Sequence, residues 1–142
     1  MEPPQAFNLG LVPNLKYFQY TRYFGALHPF DSNRYQTPSI IFQLFNVKKP
    51  MEHLNIINIE FEHESFARDL FLRKIVTDAS WALLDSVLAD GLWFPYLSCF
   101  GIAVPYFERE AFARTTNELL TSCFPCVLAK ETISFNPAIV FN

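Results

Sequence analysis

Cys123 and Cys126 bracket Phe124 and Pro125, and this C-x-x-C spacing is the sharpest chemical motif in the chain. Two thiols so placed can act as a redox pair with one lowered thiolate pKa. In such loops the pair follows a strand and opens a helix, whereas here it follows residues 118–121, which read as helix. Small buried thiols are therefore the expected state. As half of a zinc site the pair lacks a second half, because Cys99 and a distant His complete no four-ligand set.

Glu60, Glu62, His63 and Glu64 surround an imidazole with carboxylates, the types that hold a hard cation or move a proton. Acids alternating on a strand or opening a helix more simply form a solvated face, which the helix dipole favours. His28 and His53 sit beside Pro29 and Glu52 in loop-like sequence with no partner in view. Ser39, Ser65, Ser80, Ser86, Ser98 and Ser134 lack the glycines of a nucleophile elbow, and no glycine-rich phosphate loop occurs. The sequence predicts no enzyme, no cofactor, and no catalytic or metal-ligating residue.

The segment from Trp81 to Phe107 must be positioned first. Only Asp85 and Asp90 carry charge within it, and Glu108, Arg109 and Glu110 close it. Apolar surface on that scale is hidden either in a protein core or in a bilayer. At 100° per residue, Asp78, Asp85, Ser86 and Asp90 share an arc of roughly 140°, leaving Trp81, Leu83, Leu84, Val87 and Leu88 around much of the rest. Isolated in a bilayer, each Asp would cost several kcal/mol, so both are expected to face protein or water. Trp81, Trp93, Tyr96 and Tyr106 near the ends or kink of the run suit an interfacial aromatic belt.

Composition sets the outer bounds. The 142 residues are one domain by size, with 51% hydrophobic and 18% charged residues, sixteen Phe, four Gly and ten Pro. A net charge of −3 opposes phosphate-backbone binding, so nucleic acid is not an expected partner. Three Cys cannot all pair, and the N-terminus has neither a secretory signal nor an Arg-rich transit pattern. A reducing or organellar compartment is expected, with any organelle address internal.

Along the chain, residues 1–13 read as an extended, Pro-bounded arm. Residues 14–26 suit a short amphipathic helix capped by Asn14, and 31–38 a polar loop. Residues 39–47 are a short apolar run. In 55–62, Ile57, Ile59 and Phe61 alternate with Asn58, Glu60 and Glu62, the period of a strand with one buried face. Residues 64–90 read as helix, kinked onward at Gly91 with Pro95 and at Gly101 with Pro105. Residues 108–123 form a charged helix with one apolar side, interrupted by Pro125. The tail 133–141 is extended or an arm lying on a partner. No internal repeat or low-complexity tract is evident.

Several pieces resemble the mitochondrial fission process protein family, small multi-span proteins of the inner mitochondrial membrane. Thr21-Arg22-Tyr23-Phe24-Gly25 is similar to that family's N-terminal Arg-Tyr-Leu-Gly element. Asp78, Trp81, Leu83, Ser86-Val87 and Pro95 resemble its hydrophobic segment, and Thr115-Thr116, Leu119-Leu120-Thr121 and Pro125 a third element in the same order. The Gln after the family's Trp is Ala82 here, the acidic residues expected in 26–29 are missing, and the closing His-Pro-Ile-Asp is absent. The resemblance implies location and architecture more than activity.

The expected fold is thus mainly α, with kinked hydrophobic helices embedded in or associated with a membrane between short extended arms. The alternative is a soluble α+β module whose helix 64–90 packs on a small sheet containing 55–62. A single domain, 1–142, divides into the arm 1–13, an N-terminal part 14–63, a helical hydrophobic part 64–130 and a tail 131–142. The expected function is a non-enzymatic accessory subunit of a mitochondrial inner-membrane assembly of respiratory or ATP synthase type, or a membrane-shaping protein. Its partners would be other subunits and lipid, met through Trp81, Asp85, Asp90, Trp93 and Tyr96. A soluble interaction module or coat subunit is the alternative.

Overall fold

Tyr17, Ile56, Cys99 and Ser134 stand side by side in one parallel register. The computed structural model describes residues 8–24, 37–63, 75–104 and 110–139. Within these, strands β1 (Tyr17–Phe24), β2 (Ile56–His63), β3 (Cys99–Val104) and β4 (Ser134–Ile139) form one sheet in the order β1-β2-β3-β4. Helix α1 (Thr37–Phe45) lies between the first two strands and α2 (Ser80–Ala89) between the next two. Helices α3 (Glu110–Thr121) and α4 (Pro125–Ala129) precede the last strand.

Strand order equal to chain order has a geometric consequence. Right-handed crossovers between successive parallel neighbours all pass over the same face, so the helices stack on one side of the sheet. Exposure agrees: Ile57, Ile59, Phe61, Phe100 and Ile102 are buried under the helices, while Gln19, Thr21, Ser134 and Asn136 on the opposite face are exposed. Aromatic rings fill the space between the layers. Phe18 meets Phe45 edge-on at 5.4 Å, Phe61 meets Trp81 at 6.2 Å, and Phe124 joins Trp81 at 5.7 Å to Phe100 at 5.0 Å. Among the described residues, Phe45, Phe61, Phe94, Phe100 and Phe124 are thus core residues.

The register also exposes a repeat. Leu15-x-x-Phe18-x-Tyr20, Leu54-x-x-Ile57-x-Ile59 and Leu97-x-x-Phe100-x-Ile102 occupy equivalent positions on β1, β2 and β3, followed by Phe135 and Pro137 on β4. The step is roughly 40 residues, within the range of solenoid repeats. Each unit joins one strand to one or two helices. The expectation of no internal repeat is corrected: aromatic and β-branched substitutions and unequal steps disguise it.

The N–H of Ser134 bonds back to the carbonyl of Ser98 at 2.8 Å, so Ser134 and every second residue after it face β3. Pro137 has the other parity and faces the outer edge of β4, where its missing N–H removes a donor that another chain would use.

The expected mainly α, membrane-embedded fold is overturned, and with it the membrane and transmembrane character. The chain is α/β, and among the described residues no helix is long and apolar enough to cross a membrane. The run 81–107 is a ten-residue helix, a turn-rich connection and a strand through Val104, not a kinked span. On β3 the open-face positions are Cys99, Gly101 and Ala103, none of them charged, so the strand reads as continuous apolar sequence that hydropathy cannot distinguish from part of a span. The α+β alternative comes closer, but helices alternate with parallel strands and are not segregated from them.

Local corrections follow the same logic. The amphipathic helix expected over 14–26 is β1, because Phe18, Tyr20 and Arg22 alternate with Tyr17, Gln19 and Thr21. Residues 39–47 largely belong to α1. The strand over 55–62 and the helix over 108–123 appear as β2 and α3, with a new helix starting at Pro125. The tail is extended, but it completes the chain's own sheet as β4. Much of 64–90, from 64 to 74, lies outside the described residues, as do 1–7 of the N-terminal arm.

Candidate interaction face

On each strand the residue between the two inward positions points away from the helices. Parallel pairing brings these into a row of Gln19, Asn58, Gly101 and Asn136, flanked by Tyr17, Ile56, Cys99 and Ser134 on one side and by Thr21, Glu60 and Ala103 on the other. Adjacent members stand about 4.8 Å apart across the strands. A shallow cavity of about 300 Å³ lies along the row, lined by Gln19, Asn58, Glu60, Gly101, Ala103 and Asn136 with the backs of Ile59 and Ile102.

A hydrogen-bond chain orders this face. Glu60 Oε2 accepts from Gln19 Nε2 at 3.3 Å, and Thr21 Oγ1 accepts from the same amide group. A carboxylate only accepts, which fixes which end of the Gln19 carboxamide carries nitrogen. Gln19 Oε1 then accepts from the Tyr17 hydroxyl at 2.8 Å, and that hydroxyl oxygen accepts from Asn58 Nδ2 at 3.2 Å. The last oxygen in the series, Asn58 Oδ1, is left lying over Gly101, in the space where a Cβ would stand. Glycine permits this close approach of the Asn58 side chain; its backbone φ is not positive. On the far side, Asn136 Nδ2 donates to Cys99 Sγ at 3.1 Å.

No family model, curated protein or solved structure matches this chain.

The five expected partner contacts do not gather into one surface. Trp81 is 1% exposed, its indole Nε1 donating to the Ile75 carbonyl at 2.7 Å. Asp85, at 3%, is turned inward to the N-terminus of α4. Asp90 is exposed and accepts from the Leu92 N–H at 2.9 Å, an Asx turn that ends α2. Trp93 is half-buried, and its carbonyl accepts from the Met51 N–H. Tyr96 is widely open, at 62%. The shared polar stripe expected for Asp85 and Asp90 is split, since one carboxylate caps a neighbouring helix and the other a turn.

The thiol pair sits at the start of α4, Cys123 half-buried and Cys126 exposed. Cys123 Sγ donates to the Val76 carbonyl at 3.3 Å. Burial, and then the Asp85 charge, push the Cys123 thiol up; a hydrogen bond to Asp85, and then its charge, push the Cys126 thiol up. A nucleophilic thiolate needs the opposite shift, so the surroundings disfavour redox chemistry. Among the described residues no group of three or more His, Cys, Asp or Glu is placed to hold a metal ion. Within the acidic cluster, Glu60 belongs to the open face and Glu64 lies outside the described residues, as does His28; His53 is exposed.

Gln19, Gly101 and Asn136 were not foreseen as site residues, and Asn58 was read only as a strand's polar side. Their signal was present as the polar position inside each L-x-x-L-x-L unit, and it becomes visible once the units are aligned.

Proposed function

We propose that this chain is a non-enzymatic protein-interaction module, a solenoid segment that binds a protein partner across the helix-free face of its sheet. One observation carries the reading: the row Gln19–Asn58–Gly101–Asn136 crosses all four strands on the face opposite the helices, with exposed or half-buried polar side chains around a cavity. Repeat stacking produces extended surfaces of this kind, and solenoids use them for binding. A place as an accessory subunit of a larger assembly fits this reading. The lipid contact expected from the run 81–107 does not, because Trp81, Phe94, Leu97 and Phe100 are enclosed by the chain's own side chains.

The test is a displayed-peptide selection against the chain, scored on two variants. One carries Thr21→Arg and Asn136→Arg on the open face; the other carries Leu83→Glu and Leu128→Glu on exposed helix positions. The reading expects recovered peptides to lose binding to the first variant and to keep it for the second. Recovery of no peptides, or of peptides indifferent to the open-face changes, overturns it.

A further inference from the structure

We propose that β1 is a self-pairing edge: a second copy of this chain lays its own β1 antiparallel against it, centred on Tyr20, and joins the two four-stranded sheets into one. The inference does not depend on what binds the open face.

Backbone parity decides which groups β1 offers. The carbonyl of Lys16 accepts from the N–H groups of Asn55 and Ile56 at 2.9 and 3.3 Å, so Lys16 and every second residue after it turn their backbone groups toward β2. Tyr17, Gln19 and Thr21 have the other parity and direct N–H and C=O out of the sheet, where among the described residues they meet no backbone partner. Their side chains are exposed and uncharged, and none of the three is Pro. The devices that blunt a sheet edge are thus missing here, whereas Pro137 supplies one on β4.

The covered face is unfinished at the same edge. Phe18 and Tyr20 stand in register with Ile57 and Ile59, which are 0% and 1% exposed, yet both rings are only half-buried. Completing that layer takes a strand with apolar rings on its helix side and uncharged polar groups on the other, and β1 itself has that alternation. Antiparallel pairing about Tyr20 sets Gln19 opposite Thr21 and Tyr20 opposite its own copy; Arg22, the one charged residue of β1, falls opposite Phe18 and not opposite its like. A twofold axis perpendicular to the sheet keeps both helix layers on one side and extends the ring layer across the junction. Parallel pairing of the two edges would place the helix layers on opposite sides and leave the rings uncovered. The contact is isologous and closes at two copies, because the outer edges that remain are the two β4 strands.

The test is sedimentation equilibrium of the whole chain across a wide concentration range. The mass is expected to rise to twice that of one chain and no further, with a dissociation constant in the micromolar range. Thr21→Pro removes an outward N–H and leaves the bonds to β2 in place, so it should weaken the dimer at least about tenfold. Tyr20→Cys serves as a second variant that needs no loss of pairing. On the twofold axis position 20 forms a non-hydrogen-bonded pair with Cα atoms about 4.5 Å apart, a spacing that a disulfide spans. Mild oxidation should therefore join position 20 of the two copies, located by peptide mapping, while Phe18→Cys, whose copies stand well apart, should not link to itself. A monomer at every concentration, masses beyond the dimer, a dimer indifferent to Thr21→Pro, or equal cross-linking at positions 18 and 20 overturns the proposal. A monomeric chain whose Tyr17, Gln19 and Thr21 amides instead shift with an extended foreign peptide would assign the edge to another protein and overturn it as well.

Discussion

The N–H of Val127 donates to Asp85 Oδ1 at 2.9 Å, so a side chain of α2 closes the first turn of a helix 42 residues further on. Cys126 N–H donates to the other carboxylate oxygen at 3.0 Å. Lys130, directly after α4, returns the contact by donating to the carbonyl of Ala89 at the end of α2, at 2.6 Å. Each helix thus has one terminus satisfied by the other, with an acid at an N-terminus and a cation at a C-terminus as the helix dipole favours. The pair clasps α2 to α4.

Replacing Asp85 by Ala leaves two buried or half-buried N–H groups unpaired and should cost about 2–4 kcal/mol of stability. Lys130→Met should cost about 1 kcal/mol, and Asp90→Ala, which loses only an exposed turn bond, no more than about 1 kcal/mol. Urea unfolding midpoints of the three variants check this order; an Asp85→Ala midpoint equal to the wild type would refute the clasp.

Cys123, just before α4, and Cys126, within it, both have thiol pKa values raised from the ordinary 9.0, so they are neutral in the folded chain around neutral pH. Iodoacetamide should therefore alkylate the folded protein more slowly than the urea-unfolded chain at pH 8, with a rate midpoint above pH 9. Asp85→Asn removes the carboxylate that is the main cause at Cys126 but a secondary one at Cys123, so Cys126 should gain reactivity more than Cys123. A midpoint below about 8.5 at Cys123 would restore the redox reading.

Trp81 packs between Phe61 and Phe124, and only Trp93 shares its spectral range. In a Trp93→Phe variant in detergent-free buffer, the single remaining indole should emit as a buried ring and resist acrylamide quenching. Ready quenching would show that the protein core does not shelter this segment.

Gly101→Ala brings a Cβ into the Asn58 carboxamide, whose tip can swing away at the expense of its bond to Tyr17. The expected stability change is therefore under about 1 kcal/mol, yet binding of open-face peptides should fall because the cavity is filled and its acceptor displaced. Paired thermal melts and peptide titrations separate the two effects; unchanged peptide affinity would place the contact elsewhere.

Legibility in the sequence followed the physics of each element. Residues 55–62 were readable because Ile57, Ile59 and Phe61 on the covered face alternate with Asn58 and Glu60 on the open one. Helix α3 was readable from its own propensity and single apolar side. β1 was not, because aromatic and polar residues alternating over a few positions satisfy a short helix and a strand equally well. β3 was hidden because Phe100 and Ile102 lie in the sheet's interior and Gly101 reads as a kink, although it is a close approach to Asn58. Asp85 looked like part of a wet stripe because its partners are backbone N–H groups, which no sequence pattern displays. The amide row was beyond reach until register aligned residues roughly 40 apart.

The central claim, that partners bind the face opposite the helices, is tested most directly by amide-shift mapping with a peptide from the displayed selection. Perturbations are predicted to cluster on Gln19, Asn58, Glu60, Gly101 and Asn136. A cluster on α2 and α4, around Leu83 and Leu128, would contradict the account.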